Sequence, residues 1–421
     1  MIQAINKNLI IRNAAQVVRC SGRTAKCGVQ MSELNIIENA NVVITNGIIT
    51  YVGNKIELPH YTNPYEYKTI DATGKAVLPG FVDSHTHLIF GGYRQDEFSW
   101  RMRGDSYMSI MERGGGIHNT MEATRNASFE ELYTEAKSRL TRMLKLGVTT
   151  VEAKSGYGMD KETELKQLAV IQELNRTQPV SIVPTFMGAH ATPKEFKGRE
   201  DDFIDYVTQE IMPDVKEKKL ATFCDIFCEK DVFSIEQSRK YLQKAKELGF
   251  LLKIHADEIV QFGGAELAAE MGCTSADHLL QASDEGIRKM AEKGVVATLL
   301  PCTAFSLKEN FANARKIIDS GCAVALATDL NPGSSFTSSI PLTFALACIY
   351  MKMSPEEAVT ALTINGAAAV ARAESIGSID EGKLADIVIL DFPSYKFLPY
   401  HIGMNIVGTV IKNGEIVAQN G

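Results

Sequence analysis

No apolar stretch in this 421-residue chain approaches the length of a membrane span, which argues against a helical transmembrane protein. Positive charge is in short supply: 44 Lys and Arg stand against 51 Asp and Glu, for a formal net charge of -7. With no basic run either, nucleic acid and anionic membranes are poor candidates for the main partner. The opening segment MIQAINKNLIIRNAAQ lacks a basic-then-apolar leader pattern, so a cytoplasmic location is expected. Paired cysteines are missing too. The eight cysteines (20, 27, 224, 228, 273, 302, 322 and 348) are scattered, several within apolar runs, as reduced core thiols are. Cys224 and Cys228 lack a second Cys/His pair at zinc-site spacing. What remains is 45% hydrophobic and 23% charged, enough apolar material for a sizeable core and for two or three domains.

The ends of the chain are β-rich. Residues 1 to 75 carry short strand-like runs at Leu9–Ile11, Asn41–Thr45, Ile48–Val52 and Tyr67–Ile70, with Asn46-Gly47 as a hairpin turn; 14 to 34 are polar and irregular. From Ala76 the rhythm becomes apolar runs alternating with helical patterns. The expected strands are Ala76–Val82, Val148–Ala153, Ser181–Phe186, Thr222–Phe227, Leu251–His255, Thr274–His278, Val295–Leu300 and Ala323–Asp329. One intervening helix opens at Ser128 with Glu131 three residues on, a capping-box pattern, and another opens at Ser234 and stops at Gly249. This alternation predicts a (β/α)8 barrel over 76–375. Its first connection is the longest, as for an inserted active-site loop. Strands return at 385–390, 407–412 and 416–417, with a turn at Asn413-Gly414. A small β-sandwich built from both ends, 1–75 and 376–421, is therefore expected.

Histidines gather where strands end. Val82-Asp83-Ser84-His85-Thr86-His87 closes the first barrel run, and residues two apart project to one side. Strand 3 is followed by His190, strand 5 ends in His255, strand 6 in His278 and strand 8 in Asp329. In a barrel these C-terminal ends share one mouth. His85, His87, His255 and Asp329 are the expected ligands of one metal ion, zinc or iron, since imidazole and carboxylate suit both. Such an ion makes hydroxide available near neutral pH, with Asp329 placed to take a proton. His278 either polarises the electrophile or supports a ligand. Glu258 either binds a ring nitrogen, shuttles a proton to the leaving nitrogen, or is a solvated loop carboxylate. His60 and His401 read as surface or packing residues, and His118 stays open.

The H-x-H element with distant His255 and Asp329 resembles the metal-dependent amidohydrolase superfamily. At finer detail HTHLIFGGYR (85–94), GGGI (114–117), EAKSGYG (152–158), FMGAH (186–190), KIHADE (253–258), SADH (275–278) and ATDLNPGSS (327–335) are similar to one branch of it. That branch hydrolyses the cyclic amide of 4-imidazolone-5-propanoate to N-formimidoyl-L-glutamate in histidine degradation. The resemblance implies that Arg94 pairs with the propanoate, for which a guanidinium fork is well shaped. It further implies that Tyr107, Tyr157 and His190 line the pocket, that Glu258 meets the ring, and that Asn331, Gly333 and Ser334 hydrogen-bond substrate or product. Two-metal members carry a lysine on strand 4; here DIFCEK has none on the strand, so one ion is expected. A homodimer is also implied. The alternatives are a deaminase of cyclic amidines or nucleobases on the same scaffold, and a non-catalytic relative.

Overall fold

The computed structural model describes residues 7–54, 66–105, 113 and 115–420. Tyr107 and His60, singled out above, lie outside the described residues, as does Gly114 of the GGGI motif.

The N-terminal strands are β1 (Leu9–Val18), β2 (Ile36–Thr45), β3 (Ile48–Gly53), β4 (Lys68–Asp71) and β5 (Ala76–Pro79). Asn46 and Gly47 both take positive φ, 52° and 81°, and Thr45 pairs with Ile48 across them. That is the two-residue turn whose twist matches the strands it joins. β1 is longer than expected. Asn13, at φ 60°, bulges the strand so that 9–12 pair with β4 and 16–17 with β5. The part-exposed polar positions after the bulge hid this second half from a pattern search.

The apolar run Ala76–Val82, expected as one barrel strand, is divided between two sheets. Pro79 cannot donate to a ladder, and β5 ends there. Gly80 N–H then bonds to Asp386 and Phe81 N–H to Gly147, carrying the chain across. A side chain at Gly80 would run into Thr149, so the crossing is open only to glycine.

Beyond it come β6 (Phe81–Asp83), β7 (Val148–Lys154), β8 (Ser181–Ala189), β9 (Phe223–Cys228), β10 (Leu251–Ala256), β11 (Ser275–His278), β12 (Val296–Leu299) and β13 (Val324–Leu326). All are paired in parallel and in sequence order from β6 to β13. Residues just past the strands draw the two edges together. Asp329 N–H donates to His85 O, His87 N–H to Leu330 O, and Thr86 bridges in parallel to Leu330. Thr328 donates to the Asp83 carboxylate through its N–H (3.0 Å) and its hydroxyl (2.6 Å). Closure of the barrel and placement of its first and last polar residues are one event.

The helices pack outside. Helix Phe129–Lys145 has the full capping box at Ser128 and Glu131, and buries Leu132, Ala136, Leu140, Met143 and Leu144. Each such leucine contributes roughly 1.5–3 kcal/mol on burial. Helix Ile235–Glu247 is boxed by Ser234 with Gln237, and Gly249 at φ 76° ends its turn. The C-terminal strands β14 (Ile387–Leu390), β15 (Val407–Lys412) and β16 (Glu415–Gln419) complete the mixed sheet in the order β16-β15-β14-β5-β1-β2-β3. Residues of both chain ends, Leu9, Val42 and Ile44 with Ile387, Ile389 and Ile411, share one apolar core there. His401 packs on Phe392, ring centres 4.4 Å apart. Cys224 and Cys228 are free and buried in β9. No described helix is long and apolar enough to cross a membrane.

Candidate metal centre and substrate pocket

Strand polarity sends the C-terminal ends of β6 to β13 to one rim, where the predicted histidines meet. His85, His87, His255, His278 and Asp329 are each no more than 3% exposed. Ligand atoms of His85, His87 and Asp329 lie within 4.8 Å of one another, and so do those of His85, His255 and His278. Four of the five are the residues expected as ligands; His278 joins from the side.

The orientation of the rings matters more than their closeness. His85 Nδ1 lies 2.6 Å from Asp277 Oδ2 and His255 Nδ1 lies 3.0 Å from Asp225 Oδ1. Each Nδ1–H therefore donates to a carboxylate, leaving Nε2 as a bare lone pair. His255 Nε2 points at His87 Nε2 across 3.3 Å. His85 Nε2 and Asp329 Oδ1 are buried without a hydrogen-bond partner, 3.5 Å apart, and His87 Nε2 is 3.6 Å from the same oxygen. Unpartnered lone pairs converging in a buried space repel unless a cation stands among them. The donor set, imidazole nitrogens and one carboxylate, fits zinc or iron.

Burial fixes the protonation states. It pulls His85, His87, His255 and His278 well below the ordinary imidazole value and His190 to about 4, so these rings stay neutral and able to ligate. Burial pushes Asp329 and Asp83 to about 7. It also raises Glu258 to about 8, assisted by Asp329 and Glu229. A bound cation would draw Asp329 back down.

These shifts have opposite signs for stability. A carboxyl raised in the folded state loses stabilisation as pH climbs from about 4 through its folded value. A depressed imidazole loses it as pH falls below the unfolded value of 6.5. Below that point the six depressed imidazoles, His85, His87, His118, His190, His255 and His278, outnumber the five raised carboxyls of Asp83, Glu152, Glu164, Glu258 and Asp329. The chelated, metal-free protein should therefore be most heat-stable near pH 6.5, with Tm falling on both sides. Calorimetry from pH 5 to 8.5 tests this; a Tm that climbs steadily to pH 8.5 would contradict it.

Around the centre, His190 stacks on His87 with ring centres 4.7 Å apart, and Tyr157 lies 5.2 Å from His190. The Nδ1–H of His190 donates to Gly156 O at 3.1 Å, turning Nε2 inward as an acceptor. Glu258 Oε1 is 3.5 Å from His278 Nδ1, which has no hydrogen bond. His278 and Leu279 both hold positive φ, 78° and 59°, a strained pair of the kind that clusters at functional sites.

Arg94 stands immediately before helix Gln95–Met102 and is held by Glu97 at 2.7–2.8 Å. A Cβ at residue 333 would strike its Nη1, so Gly333 leaves room for the guanidinium. Asn331 spends its side chain inside its own loop, accepting from Gly333 N–H and Ser334 N–H at 2.8 Å and donating to Asp329 O. It shapes the turn that carries Arg94's neighbour. His118, on helix Ile117–Asn126, is half-buried near Arg125, Lys194 and Glu195 rather than in the rim cluster.

Sequence reasoning passed over the layer beneath. Glu152, Lys154, Asp225, Lys253 and Asp277 are all fully buried. Burial pulls Lys154 down, but Asp225, Glu152 and Asp277 outweigh it and raise its pKa. Charged residues on strand stretches such as VEAK and DIFC are the signal that could have revealed them, since an all-parallel barrel strand is otherwise apolar.

Comparison with known proteins agrees with this architecture. The model of the Amidohydrolase family matches residues 76–417, and the chain belongs to that family, whose members are metal-dependent. Among crystal structures, atrazine chlorohydrolase from Arthrobacter aurescens complexed with zinc aligns at a TM-score of 0.72 and 17% identity, covering 98% of this chain and 95% of that one. A zinc-bound adenosine deaminase from Xanthomonas campestris aligns at 0.69 and 18%, covering 97% and 92%. At those identities the likeness is one of fold.

Curated relatives narrow the family. The imidazolonepropionase of Parabacteroides distasonis is 61% identical over 98% of this chain and 99% of its own length, and that of Clostridium tetani 62% over 97% and 98%. The chain belongs to the imidazolonepropionases, hydrolases of carbon–nitrogen bonds.

Proposed function

We propose that this chain hydrolyses the ring amide of 4-imidazolone-5-propanoate to N-formimidoyl-L-glutamate, using one zinc or iron ion held by His85, His87, His255 and Asp329. The observation that carries the metal reading is the convergence of bare imidazole nitrogens and the unpartnered Asp329 oxygen. Near-full-length similarity to imidazolonepropionases carries the choice of substrate. The ion, when bound, supplies a Lewis acid that ionises water near neutrality.

The protein's own groups do the rest. Arg94 holds the propanoate through its planar fork, exchanging part of its contact with Glu97 for the substrate. Tyr157 and His190 wall the ring, and the Asn331 turn with Gly333 and Ser334 closes the arm's side. Asp329, steadied by the Thr303 hydroxyl at 2.6 Å, accepts the proton of the attacking water as its oxygen bonds to the ring carbonyl carbon. His278 stabilises the charge that forms on the carbonyl oxygen. Glu258, whose raised pKa keeps a proton near neutral pH, delivers one to the departing ring nitrogen. The C–N bond breaks, and the former carbonyl carbon becomes the α-carboxylate of the product. Tyr107 belongs with the pocket by resemblance alone. We further propose a cytoplasmic homodimer.

The test is direct assay of purified protein with imidazolone propanoate, guanine and cytosine. Turnover of the imidazolone is expected. Turnover only of the bases would replace this reading with a deaminase, and no turnover by metal-replete protein would favour a non-catalytic relative.

A further inference from the structure

Beneath the rim the barrel holds a fully buried, charged layer that the proposed chemistry does not use. Lys154 Nζ lies 2.8 Å from Glu152 Oε1, 2.7 Å from Asp225 Oδ2 and 4.0 Å from Asp277 Oδ2, and all four side chains have no exposed surface. Each carboxylate carries a different piece of the metal cradle. Asp225 fixes His255 through Nδ1, and Asp277 fixes His85. Glu152 accepts from the N–H of Thr86 at 3.2 Å, the residue between His85 and His87. Asp277 has a second support: Lys253 Nζ at 3.3 Å, and the Ser275 hydroxyl that donates to its Oδ1. Asp225 has no side-chain cation besides Lys154 among the described residues.

We infer that Lys154 is a positioning residue for the metal centre, one ammonium set among three carboxylates, of which two orient His255 and His85 and the third holds the backbone between His85 and His87. Three carboxylates packed together without solvent repel one another. A compact ammonium among them offsets that repulsion. The ordinary alternative is a buried ion pair that merely neutralises Glu152 and holds the barrel floor. The two roles separate once the charge is balanced by other means.

This inference rests on the reading of the rim cluster as a metal centre, so the wild-type chain is measured first. Loaded with Zn2+ and freed of excess, it should retain about one ion per chain; retention of none would sink that reading itself. The paired variant E152Q/K154M removes one charge of each sign, and the amide that E152Q introduces still offers an oxygen to Thr86 N–H. It should melt within a few degrees of wild type yet surrender zinc to a chelator at least about tenfold faster, the usual effect of removing an outer partner. Its Co2+-substituted form should show a shifted d–d spectrum, which a purely structural ion pair would not alter. A paired variant that folds and keeps wild-type zinc release and spectrum would overturn the inference. Asp225→Asn breaks the same chain one link higher and decides the matter if the pair does not fold. It too should release zinc at least about tenfold faster, and wild-type retention there would equally overturn it.

Discussion

His85→Ala should lose both the bound metal and turnover. His85 is the one residue present in both groups of converging ligand atoms, and its Nε2 is a bare lone pair with no other partner. Removing it deletes a ligand and leaves Asp277 buried without the imidazole it holds at 2.6 Å. Losing the Lewis acid forfeits several kcal/mol of transition-state stabilisation, so kcat/KM should fall by at least about 10³-fold. Elemental analysis of the variant and a progress curve on one sample suffice. A variant that keeps either its metal or more than a few per cent of its activity would show that His85 is not a ligand.

Arg94→Ala should act on binding. The guanidinium grips an arm remote from the bond that breaks, so its loss removes an interaction made equally in ground and transition states. A charge-assisted fork contributes about 1.5–3 kcal/mol, which translates to a KM raised roughly 10- to 100-fold with kcat little changed. Arg94→Lys should recover only part of this, because an ammonium cannot present two parallel donors. An unaltered KM in Arg94→Ala would place the propanoate elsewhere. Glu97, which keeps Asn119 but loses its ion-pair partner, would register as lost heat stability rather than as a change in KM.

The barrel was legible because its signals are local and repeated. Capping residues at Ser128 and Ser234, turns at Asn46-Gly47 and Asn413-Gly414, and polar residues closing apolar runs each depend on a few neighbouring side chains. The gathering of His85, His87, His255 and Asp329 followed from topology, since parallel strands send their C-terminal ends to one rim. What escaped depends on partners distant in sequence. The split of Ala76–Val82 is settled by Asp386 and Gly147, which no window around Pro79 contains. The second half of β1 is strand only because β2 and β5 flank it. Lys154 falls just past the expected strand Val148–Ala153, and nothing in its neighbourhood points to Asp225, 71 positions on.

The most direct test of the account is to strip the metal and return it. Purified chain would be chelated and then titrated with zinc or ferrous iron, while imidazolone propanoate hydrolysis and metal content are followed in the same tubes. Activity should vanish on stripping and rise linearly until about one ion per chain is bound. Undiminished hydrolysis by protein shown to be free of metal would contradict it.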